Sequence, residues 1–406
     1  MTMTYDVIVV GARCAGSPTA MLLARRGYRV LLVDRARFPS DTMSTHWIHQ
    51  PGVEALRRWG LLEALVATGC PPIHTIKLDF GPFAIAGAPL PADGTDVSYA
   101  PRRTVLDALL VDAAVAAGAE FREEFTVDEL VWDDGRVVGI RGRSVGIAGA
   151  VTEYARLVVG ADGLHSMVAR AVAAPVYHDR GVRQAAYYTY WSGVPTDGVE
   201  VYVRDRRSWG LIPTHDGLTV LPLGWPIDEF EANRSDIEGN YLATLEQAPE
   251  VAERVRAGRR EARFMGSGDL RNFFRKPCGP GWALVGDAGE HMDPCTAQGI
   301  SAAFQDAETL AHTIHRSLAG GEPMNIALGQ YEKTRNASRL PIFDFTCQMA
   351  SLEPPAREMQ QLLEAVHDNP EASRRFVSLI AGTQSFEDFF APDAIQRLMV
   401  TAAVTS

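Results

Sequence analysis

The stretch Tyr5-Asp6-Val7-Ile8-Val9-Val10-Gly11-Ala12-Arg13-Cys14-Ala15-Gly16 decides the fold. A β-branched run that stops at a glycine predicts a strand over Tyr5 to Val10. The Ala-, Leu- and Arg-rich segment from about Cys14 to Arg26, stopped by Gly27, predicts a helix. Pro18 falls in the first helical turn, where backbone N–H groups lack partners anyway. A second apolar run, Arg29 to Val33, ends on Asp34. Strand, glycine turn, helix and strand in this order form a βαβ unit with parallel strands. In such a unit the first glycine makes the tight turn, the second lets backbone approach a pyrophosphate, and the third lets the helix pack on the strand. Gly11 and Gly16 hold the outer places, and Arg13 stands where the middle glycine belongs. Asp34 follows Gly11 at the distance from which an acid binds ribose hydroxyls. Arg13 reads either as a charge-assisted phosphate contact at the helix N-terminus or as a solvent-facing side chain.

Around this unit lie 406 residues, room for two or three domains. Hydrophobic residues make up 46% and charged residues 22%, which excludes a disordered or fibrous chain. The net charge of −11 opposes a nucleic-acid backbone or an anionic membrane surface as partner. The five cysteines are scattered, without C-x-x-C or metal-ligand spacing, so we expect no metal site and a reducing, cytoplasmic setting. The N-terminal Met-Thr-Met-Thr-Tyr-Asp has no basic region, and no later run is apolar enough to span a membrane, so we expect a soluble, unprocessed chain.

Further along, Arg103 to Ala117 has helical spacing, and Glu120 onward alternates like strands with a turn at Asp133-Asp134-Gly135. Ala155 to Val159 predicts a strand running into Gly160-Ala161-Asp162-Gly163. Residues 175 to about 265 alternate aromatic and β-branched residues between Pro and Gly turns, as in an antiparallel sheet. Trp282 to Val285 reads as a buried strand, Gln298 to Leu318 as a long helix, and the remainder as mostly helical.

Val285-Gly286-Asp287-Ala288 ends that later strand, and Asp293-Pro294 and Ala297-Gln298-Gly299-Ile300 lead into the long helix. A carboxylate at a strand end suits a ribitol hydroxyl, and amides at a helix start place positive potential beside a developing anion. With Arg103-x-x-Leu106-Asp107 and Gly160-Ala161-Asp162-Gly163-x-x-Ser166-x-Val168, these motifs come in an order that resembles the group A flavoprotein monooxygenases. That aromatic-hydroxylase superfamily also contains flavin halogenases and geranylgeranyl reductase-like enzymes. The resemblance runs over roughly residues 5 to 330 and implies FAD. It implies an α/β fold: a Rossmann-like FAD-binding domain of the GR2 type with an inserted antiparallel β-sheet substrate domain and a C-terminal helical region. On this reading residues 1–174 and 262–330 form the FAD-binding domain. Residues 175–261, with strands from about 73–99, form the substrate domain, and residues 331–406 the helical region. The implied FAD contacts are Gly11, Ala12, Arg13, Ala15, Gly16, Asp34, Arg35, Thr45, Arg103, Val127, Asp162, Gly286, Asp287, Gly299 and Ile300. Arg103 is placed at the pyrophosphate, Asp287 at the ribitol, and Asp162 where the family meets both FAD and NAD(P)H. Asp162 and Asp287 read alternatively as strand-end turn residues. Departures are Arg13, the shift of Glu290-His291 by one place from the family's Gly-Asp-Ala-Ala-His, and Ala297 before Gln-Gly.

No close cysteine pair exists for disulfide-reductase chemistry. Ser208-Trp209-Gly210-Leu211-Ile212-Pro213 stands where halogenases carry W-x-W-x-I-P, with neither motif tryptophan in place, and Lys77 reads as a solvent-facing strand residue. The expected reaction is therefore hydroxylation or epoxidation of an apolar, ring-containing small molecule with NAD(P)H and O₂, through a flavin C4a-hydroperoxide. The alternatives are a reductase of an isoprenoid-like double bond and a flavoprotein that binds without turnover. The aromatic-rich strands from 187 to 225 are expected to floor the pocket, with ordinary core packing as the alternative for most of these residues. His46 and His291 lead as candidate bases, ahead of His49 and His215, because an imidazole titrating near neutrality suits phenol activation. Arg204, Arg206 and Arg207 read as a substrate-anion site or a solvated charge run, and Cys295 as a packed thiol. The C-terminal helices are read as a homodimer contact or a cap on the flavin domain.

Overall fold

The computed structural model describes residues 5–146 and 148–405. The leading Met-Thr-Met-Thr lies outside them. In chain order the elements that position the site begin with β1 (Tyr5–Val10), α1 (Gly16–Ala24) and β2 (Val30–Val33). There follow β3 (Ile76–Asp79), β4 (Ala84–Gly87), α2 (Arg103–Ala116), β5 (Glu120–Arg122), β6 (Phe125–Asp133), β7 (Arg136–Ser144) and β8 (Val151–Gly160). The middle of the chain supplies β9 (Val176–Val182), β10 (Gln184–Ser192), β11 (Val199–Arg204), β12 (Arg207–Pro213), β13 (Thr219–Pro226), α3 (Ile237–Leu245) and α4 (Pro249–Ala257). Last come β14 (Arg271–Arg275), β15 (Trp282–Leu284), β16 (Glu290–His291), α5 (Gly299–Leu318), α6 (Met324–Ala350), α7 (Arg357–His367) and α8 (Pro370–Ile380).

The first sheet has the strand order β15-β8-β1-β2-β5, all parallel, with Val9 facing Val159 on one side and Leu32 on the other. Apart from Asp6 near the start of β1, its central strands are apolar, as expected of parallel strands covered on both faces. Helices α1, α2 and α5 bury Met21, Leu106, Leu110, Phe304 and Leu310 against one face of it. The β6–β7 hairpin pairs with the first half of β8 and covers the other face with Phe125, Leu130, Val137 and Ile140.

The second sheet runs β10-β13-β12-β11-β3-β4. Four of its pairings are antiparallel, as expected, but β11 and β3 run parallel, Val199 beside Ile76. Residues 237–257, expected as sheet, form α3 and α4 instead. Pro249 opens α4, where its missing N–H costs nothing, and Val251, Ala252 and Val255 fall on one buried stripe. These helices pack on one face of the second sheet, and α7 and α8 close over the other. The C-terminal helices thus cover the second sheet. A third, small sheet, β9-β14-β16, joins the two larger ones.

Candidate active site

Three segments distant in sequence meet at the start of α1. Gly11 has φ +104°, and a Cβ there would lie 2.4 Å from the Ala161 carbonyl oxygen. A Cβ on Gly16 would lie 1.7 Å from the Gly11 carbonyl oxygen, so only glycine lets α1 sit this close to the turn. Gly286 has φ +61°, and its Cβ would approach that of Ala15 to 2.7 Å. The backbone N–H groups of Arg13, Cys14 and Ala15 find no acceptor among the described residues. The Asp34 carboxylate accepts from the N–H of Ala12 at 2.7 Å and of Ala36 at 2.8 Å, while Arg35 is exposed.

Arg13 is held by protein partners, with a quarter of its side chain exposed. It pairs with the fully buried Asp107 at 2.5 Å, donates to Ser40 Oγ at 2.8 Å and lies over the Phe38 ring. Arg103 grips the same carboxylate through Nε at 3.1 Å and Nη2 at 2.9 Å. Two guanidinium groups on one carboxylate leave a positive charge in excess beside the free amides. Asp287 is exposed, makes no side-chain hydrogen bond among the described residues, and adds a favourable charge interaction to Arg103. Asp162 differs: both its oxygens are engaged in its own turn, by Ser166 Oγ at 2.5 Å and the N–H of Met167 at 2.6 Å and Val168 at 3.2 Å. It therefore caps the short helix Met167–Ala171. Val127 sits beside a register shift in the β6–β7 hairpin, its side chain packed on that core. Gly299 and Ile300 open α5, and the space a Gly299 Cβ would enter is empty. Ala297, before them, adopts φ +54°, the left-handed conformation for which glycine is the usual choice. Free amides, surplus cation, open acid and glycine-lined crossings fit the pyrophosphate, ribose and ribitol of FAD.

Beyond Gly299 a cleft opens between the Thr45–Trp47 segment, the 294–297 turn and the second sheet. Here the aromatic expectation needs correcting. Strand alternation sends Tyr187, Trp191 and Trp225 to the opposite face, against α3 and α4; Trp209 packs in that core too and also borders the cleft. The cleft face carries Ala186, Ser208, Gly210, Pro222 and Gly224, whose small volume is what leaves the space. Ser208 and Gly210 are the two positions at which the halogenase motif carries tryptophan. Tyr188 and Tyr190 remain on this face, deeper, beside Ile212 and Val220.

His46 is fully buried, has φ +65°, and its Nε2 meets the Tyr190 hydroxyl, while Nδ1 has no partner. Burial, then the charges of Arg103 and Arg102, pushes its imidazole down to about 3. The base titrating near neutrality that the sequence suggests is thus a permanently neutral ring. His291 lies in the third sheet, its Nδ1 on the Arg271 carbonyl and its ring stacked on Phe273, and does not line the cleft. His49 is likewise pushed down, to about 4, by burial, with Nε2 on the Thr296 carbonyl at 3.0 Å. His215 bonds Thr68 Oγ1 and accepts from the Arg102 N–H. Arg204, Arg206 and Arg207 are paired with Asp79, Asp228 and Glu229, as a charge run rather than an anion site. Lys77 points with Tyr202 to the sheet face away from the cleft and pairs with Asp79 at 3.0 Å. Cys295 lines the cleft and is a free thiol.

Sequence reasoning did not find Gln184 as a site residue, although a glutamine interrupting an apolar strand was visible. It lines the cleft with 2% exposure and donates through Nε2 to Asp293 Oδ1 at 2.5 Å. Asp293 is fully buried, and desolvation raises its carboxyl to about 6 against the lowering effect of the Gln184 bond.

Comparisons place this geometry among known proteins. Solved structures with the same fold include the myxobacterial chondrochloren halogenase CndH, with TM-score 0.79 and 22% identity over 99% of this chain and 97% of that one. PqsL of Pseudomonas aeruginosa, assigned as an FAD-dependent monooxygenase, matches with TM-score 0.73 and 20% identity over 91% and 98%. In sequence the chain is 26% identical to a digeranylgeranylglycerophospholipid reductase of Methanocella arvoryzae, over 82% of this chain and 83% of that protein. It is 25% identical to a tryptophan 2-halogenase of Chondromyces crocatus over 80% of its own length, but spans only 64% of that enzyme. The FAD binding domain family model matches residues 4–346, and the chain belongs to that family.

Proposed function

We propose that this flavoprotein is a monooxygenase that uses NAD(P)H and O₂ to hydroxylate or epoxidise an apolar, ring-containing small molecule. The observation that carries the reading is the cleft face of small residues opposite Thr45 and Ala297, which leaves room for a ring beside the cofactor segments. Two tryptophans at 208 and 210 would fill it. No lysine lines it. Bound FAD supplies hydride acceptance and reaction with O₂. The chain supplies the rest. Backbone amides at 13–15 and the Arg13–Arg103 pair hold phosphate charge, Asp287 takes a ribitol hydroxyl, and the N-terminus of α5 offers positive potential. Helices α7 and α8, through Leu363, Phe376 and Ile380, keep water from the apolar face. Neutral His46 orients the Tyr190 hydroxyl through its Nε2. A phosphate-bearing donor is supported by Arg170 and Arg275, with Arg271 beside them already paired with Asp179 at 2.9 Å. These cations crowd beside the Asp162 turn, and burial, then Arg271, lowers the affinity of Arg275 for its proton.

The test is to add NADPH or NADH to the purified yellow protein with and without O₂, alongside a panel of ring compounds, following flavin bleaching and products by mass spectrometry. Oxygenated product with substrate-dependent nicotinamide consumption is expected. Reoxidation by O₂ with only saturated products would replace the proposal with the reductase reading. A flavin that neither nicotinamide reduces, and that no reductase partner reduces either, would remove catalysis by oxygen insertion.

A further inference from the structure

The cleft is mostly apolar; besides the hydroxyls of Thr45 and Ser208 and the Cys295 thiol, its polar side chain is Gln184. Its amide is oriented by chemistry on three sides. Nε2 donates to Asp293 Oδ1, which also accepts from the Cys295 N–H at 3.0 Å, and the Asp293 N–H is held by Asn272 Oδ1 at 2.7 Å. Asn272 is fully buried and donates in turn to the Gly181 carbonyl at 3.1 Å. An acceptor oxygen facing Gln184 fixes its NH₂ toward Asp293 and therefore its carbonyl the other way. That carbonyl, Oε1, is buried and has no partner. It lies over Gly224, where an added Cβ would stand only 2.1 Å from it, so the missing side chain at 224 is what gives the amide this position. Both Gln184 and Gly224 line the cleft. A buried acceptor without a donor costs free energy unless something brings one.

We propose that Gln184 is the specificity-determining contact of the cleft: its Oε1 accepts from an N–H or O–H on the ring-bearing substrate, with Asp293 as the positioning residue that holds the amide. The inference rests on the cleft being the substrate site. It narrows the substrate class to rings carrying a hydrogen-bond donor, such as phenols and indoles, against bare hydrocarbons or their ethers.

The test uses the FAD-loaded protein and two probes of nearly the same shape, indole and indene, of which only indole has an N–H. Dissociation constants come from flavin difference spectra or calorimetry, and the readout is the affinity ratio of indole to indene. Losing one hydrogen bond to a buried group corresponds to roughly a tenfold change or more. The ratio is expected to fall about tenfold in Gln184→Met. It should also fall in Gly224→Ala, whose only clash is with the flexible end of Gln184 and which therefore folds. Asp293→Ala is expected to lower it too, while Asp293→Asn, which still offers an oxygen to Nε2, restores it; a purely structural role would not move a ratio. Flavin absorbance reports that each variant retains the cofactor. A ratio unchanged in both Gln184→Met and Gly224→Ala overturns the inference and leaves the cleft reading standing. Failure of both probes to bind the wild type overturns the cleft reading and the inference with it.

Discussion

Replacing Asp293 by Asn is expected to stabilise the protein above pH 6 and to change little near pH 4. In the folded state the carboxyl is fully buried, and desolvation raises it from 3.8 to about 6, opposed by the bonds from Gln184 and the Cys295 N–H and by His291 nearby. A raised carboxyl means the folded protein holds its proton more tightly than the unfolded chain does. The unfolded chain gives its proton up first as pH rises, so Asp293 lowers stability progressively from about pH 4 to pH 6 and by a constant amount above. At roughly 1.4 kcal/mol per pH unit, the gap between 3.8 and about 6 comes to about 3 kcal/mol. Asparagine has no proton to release, and its Oδ1 keeps both hydrogen bonds. The assay is denaturant unfolding of wild type and variant at pH 4.5 and 7.5, with FAD in fixed excess so that its binding contributes equally to both proteins. The difference between the proteins should grow by about 2–3 kcal/mol between the two pH values. A difference that is the same at both would mean that Asp293 titrates as an ordinary aspartate, and the expectation would fail.

Asp287→Ala removes an exposed acid that no residue binds, so stability should stay within about 0.5 kcal/mol while FAD affinity, followed by flavin fluorescence, drops roughly tenfold or more. Gly210→Trp should retain FAD yet lose binding of ring compounds. The first carbon fits, 3.4 Å from the Glu200 carbonyl oxygen, and the indole then occupies the cleft. His46→Gln should leave the pH profile of turnover without any lost step between pH 5 and 8, because an imidazole held near 3 does not titrate there; disappearance of a wild-type step near pH 6.5 would contradict this.

The βαβ unit was legible because everything that makes it is local: β-branched Tyr5 to Val10, glycines at 11 and 16 where a Cβ has no room, and Asp34 at a strand end. Gly286-Asp287 was legible for the same reason. Contacts made by tertiary neighbours were not. Nothing near Arg13 announces that Asp107 waits for it, and the local hydrogen bonds that occupy Asp162 depend on how the chain turns after Gly163. The aromatic residues of β10, β12 and β13 showed the strands but not which face meets the cleft, since alternation fixes two faces without naming them. Parallel pairing of β11 with β3 joins residues more than a hundred apart and leaves no mark in either segment. The Gln184–Asp293 contact spans the same order of separation.

The meeting of Gly11 with Ala161 and of Ala15 with Gly286 also has a consequence for synthesis. The central strand β1 leaves the ribosome first, yet its neighbour β8 and the turn that covers α1 are made about 150 and 280 residues later. At roughly 5–20 residues per second, the apolar strand and the unfilled amides wait on the order of 15–60 s for their partners. Cofactor loading therefore waits until Gly286 has been made, and a fragment ending before it is a client for chaperones and proteases rather than a flavoprotein.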